Sequence, residues 1–131
     1  MEPLRIKSAI DTPEVSFDPG TLRFCISGIS HPENAKEFYT KLLVWLDEFF
    51  EKNQDKQAEP ITLDLNFRYI NSTSYKYLRE VLRKLTVFHK KGFNIQIVWQ
   101  YQVEDEDLLE EGQILLSLPD IKLNHQFISY E

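Results

Sequence analysis

The chain has 131 residues, of which 42% are hydrophobic and 13% aromatic, and a formal net charge of −6. Length and apolar content fit one domain over 1–131 with a sizeable buried core, and exclude a disordered polyelectrolyte. The acidic balance argues against non-specific nucleic-acid binding, and no apolar run approaches the roughly 18 residues of a membrane span.

Met1-Glu2-Pro3-Leu4 lacks the basic start and apolar core of a secretory signal, so a cytoplasmic protein is expected. Leu4 to Ile10 and Val15 to Phe17 read as short strands separated by Asp11-Thr12-Pro13. Pro19-Gly20 turns the chain into Thr21–Gly28, where Leu22, Phe24 and Ile26 alternate with polar neighbours, and a hairpin is expected. Cys25 falls in this apolar run and is expected to be a small buried hydrophobe.

Ser30 to Asn34 announces a helix. Ser30 with Glu33, and Asn34 with Glu37, both have capping-box spacing, and Pro32 suits a first helical position. The helix is predicted over Asn34 to Lys52, with Phe38, Leu42, Trp45, Leu46 and Phe49 as its apolar stripe. Asn53 to Pro60 is a polar surface loop. Ile61, Leu63, Leu65, Phe67 and Tyr69 then alternate with polar residues, the signature of a half-buried strand. A second helix follows Asn71–Ser74 and runs to about Lys91, with a stripe of Leu78, Val81, Leu82, Leu85 and Phe88 and a stop at Gly92.

Ile95 to Tyr101 is the next strand, a helix from about Glu104 to Pro119 follows, and a last strand occupies Lys122 to Ile128. Strands alternating with helices predict an α/β domain with a mixed, mostly parallel sheet and about three helices.

The chemistry-bearing candidate is the cluster Asn71-Ser72-Thr73-Ser74, at the carboxyl end of a strand and the start of a helix. Ligands and chemistry gather at that end of open α/β sheets. The first N–H groups of a helix, with its dipole, accommodate a phosphate carried on a hydroxyl. Asn and Ser are equally the best N-cap residues, so the cluster also reads as a plain cap. The acidic Glu104–Glu111 run lacks the spacing of a calcium loop and reads as a solvated helix start. His31, His89 and His125 show no metal-ligand spacing, and no phosphate-binding loop or nucleophile elbow is present. No cofactor, metal site or catalytic residue is expected.

Four segments occur in order: Thr12-Pro13-Glu14-Val15 with Gly20; Gly28-Ile29-Ser30-His31-Pro32-Glu33-Asn34-Ala35; Tyr69-Ile70-Asn71-Ser72-Thr73-Ser74; and Trp99-Gln100-Tyr101 ahead of the Glu104–Glu111 run with Gly112. In these the chain resembles the SiaC family of bacterial regulatory phosphoproteins, relatives in fold of the STAS domains of anti-sigma-factor antagonists. The resemblance implies a STAS-like, non-catalytic partner-switching protein. A dedicated kinase phosphorylates the residue after the Asn, and a phosphatase reverses it. The unphosphorylated form binds and activates a target, in the best-known system a diguanylate cyclase. Carried over, the acceptor is Ser72, with Asn71 and Ser74 supporting it. The family pattern reads Asn-Thr-Ser-Ser, so Thr73 is the rival acceptor here. Tyr69, Trp99 and Tyr101 are the candidate partner contacts, although sheet packing equally explains Trp99 and Tyr101, and Gln102 stands where the family often has aspartate. The alternative is a constitutive interaction or scaffold domain in which the cluster is only a cap.

Overall fold

All three helices cover one face of the sheet, and the connectivity explains why. The computed structural model describes residues 1–56 and 58–131. The strands are β1 (Leu4–Ile6), β2 (Glu14–Asp18), β3 (Arg23–Ser30), β4 (Pro60–Ile70), β5 (Asn94–Gln102) and β6 (Asn124–Tyr130); the helices are α1 (Ala35–Lys52), α2 (Ser72–Lys90) and α3 (Glu106–Leu116). The six strands lie side by side in chain order. The first two pairings are antiparallel, and β3 to β6 run parallel. Each parallel step is a crossover through one helix in the same direction, and right-handed crossovers of one direction stack on one face. The expected mixed, mostly parallel sheet with three helices is the one that forms.

Burial follows this one-sided cover. On β4, Ile61, Leu63, Leu65 and Phe67 are buried beneath the helices. Thr62, Asn66 and Asp64 line the other face, where Arg23 Nη2 donates to Asp64 Oδ2 (2.6 Å). Cys25 lies on that open face too, half-buried, with Sγ 3.8 Å from Asp64 Oδ2. It is therefore no core residue, and burial together with the nearby Asp64 carboxylate pushes its thiol pKa up. Helices α1 and α2 pack through stacked Phe50 and Phe88 rings, centroids 4.2 Å apart.

The element boundaries moved for local reasons. The first strand ends at Ile6, opposite Val15, because the chain then turns with Ala9 N–H donating to Thr12 C=O; Ile10 is left 91% exposed. The hairpin turn is tied by Gly20 N–H to Asp18 Oδ1 (2.8 Å), with Leu22 at φ 60°. Asn34, not Ser30, caps α1: its Oδ1 accepts from Glu37 N–H (3.0 Å). Asp105 caps α3 by accepting from Leu108 N–H, so that helix starts at Glu106. Part of the loop after α1 is a short 3₁₀ turn, Gln54–Lys56, and Gln57 lies outside the described residues. No helix among the described residues is long and apolar enough to cross a membrane.

Candidate functional site

The Asn71–Ser74 cluster forms the first turn of α2, directly beyond β4. Asn71 is the N-cap: its extended backbone lets its Oδ1 accept from Ser74 N–H (2.9 Å). Tyr75 N–H donates to Asn71 C=O (2.9 Å) as the first intrahelical bond, so the N–H groups of Ser72 and Thr73 precede the ladder and face the helix end.

The hydroxyls divide sharply. Ser72 and Thr73 are exposed. Ser74 is fully buried and accepts from Ser30 Oγ (2.9 Å), and Ser30 Oγ lies 2.6 Å from Tyr39 Oη. Asn71 N–H also donates to Ser30 C=O (3.0 Å). The buried string Tyr39–Ser30–Ser74 thus fastens α1, the end of β3 and the start of α2 together. Burial pushes the Tyr39 phenol up to about 12, against the opposing influence of the nearby Ser30 and Ser74 hydroxyls. Ser74 supports the cap and offers no accessible hydroxyl. A phosphate on Ser72 would stand at the positive end of the helix dipole, one turn from Lys76.

A β-bulge shapes the surface beside these hydroxyls. Gly28 pairs with Phe67, but Ile29 pairs with Tyr69, so Arg68 is an extra residue on β4. Past the bulge the inward position passes to Ile70, 6% exposed, and Tyr69 turns outward at 52%. Alternation alone placed Tyr69 in the apolar stripe, and the bulge is what frees it. Ile29 is exposed beside it, and the His31 ring meets the Tyr69 ring edge-on at 6.1 Å. His31 N–H donates to Asp11 C=O (2.8 Å), which brings the Ile10 loop to the same end of the sheet. The result is an apolar, aromatic rim adjoining two exposed hydroxyls.

The other aromatic candidates behave differently. Trp99 is 1% exposed, with its indole N–H donating to Leu108 C=O (3.2 Å). It is a core residue under α3 and presents nothing to a partner, which corrects the expectation of a contact role. The helices cover its side of β5, and strand alternation does not reveal which side that is. Gly112 belongs to the same packing: a Cβ there would come within 2.5 Å of the indole. Tyr101 is half-buried against the core, near the carboxyl end of β5, which runs parallel to β4 and so ends on the same side of the sheet as Ser72. Ser30, read from sequence only as a possible cap, is the site residue that sequence reasoning missed. Among the described residues no group of three or more His, Cys, Asp or Glu is placed to hold a metal ion.

Comparison with known proteins places this geometry. An uncharacterized protein of Pseudomonas aeruginosa strain UCBPP-PA14 is 29% identical over 110 residues, 84% of each chain. The crystal structure of apo-SiaC from Pseudomonas aeruginosa superposes with a TM-score of 0.84 at 26% identity, covering 98% of this chain and 100% of that one. A chain from the crystal structure of the diguanylate cyclase SiaD in complex with its activator SiaC, also from Pseudomonas aeruginosa, superposes with a TM-score of 0.87 at 25% identity, covering 97% and 99%. The model of the SiaC family of regulatory phosphoproteins matches residues 6–127, nearly the whole domain, so the chain belongs to the SiaC family.

Proposed function

We propose that this protein is a cytoplasmic, non-catalytic partner switch, phosphorylated on Ser72 by a cognate kinase and reset by a phosphatase. Its unphosphorylated form binds and activates a diguanylate cyclase. The observation that carries the reading is the pairing of an exposed Ser72 hydroxyl at a rigid helix start with the exposed Tyr69–Ile29–His31 rim beside it. A phosphate adds a charge of about −1.5 to −2 at a point a partner must desolvate, and an unpaired charge there costs binding. The relative crystallised as an activator with its cyclase supports the choice of target.

The test is a cyclase assay with the cognate enzyme. Unmodified protein and Ser72→Ala should both stimulate product formation, and the kinase-treated wild type should not. Equal stimulation by phosphorylated and unmodified protein would reject the switch. It would favour a constitutive scaffold, for which the observed Asn71 cap is then the whole role of the cluster.

A further inference from the structure

β6 is the outermost strand on its side of the sheet, paired with β5 alone. Free strand edges invite pairing with another chain, and proteins blunt them by shortness, proline or charge. The opposite edge is blunted in these ways: β1 has three residues, follows Pro3 and carries Arg5. β6 is not. Its seven residues, Asn124–Tyr130, include no proline, lysine, arginine or carboxylate. It pairs with β5 without a bulge, and Asn124, His125, Gln126, Ile128 and Ser129 are exposed.

One bond reveals which main-chain groups form the edge. Val103 N–H donates to Tyr130 C=O (2.8 Å), so the main chain of Tyr130 faces β5. Successive residues of a strand aim their N–H and C=O to opposite sides, so Ile128 and Gln126 also face β5. The groups of His125, Phe127 and Ser129 face outward. We propose that this edge pairs antiparallel with β6 of a second copy about a two-fold axis at Phe127.

In that register Phe127 opposes Phe127 of the second copy, and His125 opposes Ser129. Every outward-facing residue then meets an outward-facing residue, and each pair exchanges both hydrogen bonds. A slip of one residue would oppose outward groups with inward ones and turn the helix-side residues to the wrong face. The strand is its own complement, as a two-fold interface requires. Phe127, half-buried with the His125 ring 5.6 Å away, would meet its own mate on the helix side. At the ends of the strand, Glu131 comes opposite Leu123, one residue from Lys122, and brings opposite charges together. On a chain of net charge −6 a neutral strand is where two copies approach with least repulsion. The two-fold sends the carboxyl ends of the joined sheets in opposite directions, so each Ser72 end stays free.

Sedimentation of the full chain over a concentration series should show reversible dimerisation. His125→Lys with Ser129→Lys sets like charges opposite one another twice and should weaken the dimer at least roughly tenfold. His125→Lys with Ser129→Glu makes both pairs attractive and should dimerise at least as well as wild type. In the unmutated chain, amide exchange at Phe127 and Ser129 should slow as concentration rises, while that of Ile128 stays constant. A wild type that remains monomeric at millimolar concentration overturns the proposal. So do equal losses in the two double variants, or exchange that ignores concentration. A monomeric wild type whose Lys/Lys variant loses cyclase binding overturns it as well, and gives the edge to the target instead.

Discussion

Ser30 Oγ donates to Ser74 Oγ across 2.9 Å in full burial, and so fixes the first turn of α2 to the end of β3. Tyr39, 2.6 Å from the same Ser30 oxygen, extends the tie to α1. Ser30→Ala would strand two buried hydroxyls, a loss of about 1–3 kcal/mol. Adding Tyr39→Phe to it removes one of the orphans, so the double variant should lose less than the two single losses combined. Urea denaturation of the four proteins measures this coupling.

The same tyrosine predicts a pH dependence. Tyr39 titrates at about 12 instead of 10 because burial penalises its phenolate. The folded chain keeps a proton that the unfolded chain has lost, so this contribution is intact below pH 10 and declines as pH rises toward about 12. The full loss over that window is roughly 3 kcal/mol. Tyr39→Phe lacks the titrating group, so the stability gap between wild type and variant should shrink from about pH 9 to pH 11. A constant gap would contradict the burial argument.

Gly112→Ala tests the contact between α3 and Trp99. Alanine favours a helix interior over glycine by about 1 kcal/mol. A Cβ 2.5 Å from the indole meets a ring held by its own hydrogen bond to Leu108, and overpacking of this kind costs about 1–3 kcal/mol. The variant should therefore melt lower, with altered tryptophan fluorescence.

Tyr69 should matter for binding and not for folding. It is 52% exposed on a bulge, so Tyr69→Ser should change stability by no more than about 0.5 kcal/mol. As the aromatic centre of the rim it should weaken target binding by roughly tenfold or more, measured by calorimetry.

The choice between the two acceptors is a mass measurement. After incubation with the kinase, wild type and Thr73→Ala should each gain one phosphate, and Ser72→Ala none. Phosphate retained by Ser72→Ala and lost by Thr73→Ala would transfer the acceptor role to Thr73.

What the sequence revealed, and what it hid, divides along a physical line. The β4 alternation from Ile61 to Phe67, the apolar stripes of α1 and α2, and the Asn71 cap are local patterns, and all were legible. The outward turn of Tyr69 and the burial of Trp99 stay hidden for one reason: alternation assigns residues to two faces without saying where a bulge reverses them or which face the helices cover. The Arg68 bulge arises from pairing with β3, and the burial of Trp99 from the crossovers around β5. Ser30 was missed because its partners, Tyr39 and Ser74, are brought to it by folding.

The Asn71 cap would also restrict any kinase that acts on Ser72. Because it starts α2 at Ser72, with Ile70 buried on one side and Ser74 on the other, the residues that follow Ser72 are helical and cannot lie extended in an enzyme groove while the domain is folded. An enzyme that modifies Ser72 in the native protein must read a folded surface and not a peptide motif. Specificity is then written in three dimensions, and an isolated peptide spanning β4 and the start of α2 should be a poor substrate even though it contains every residue of the cluster.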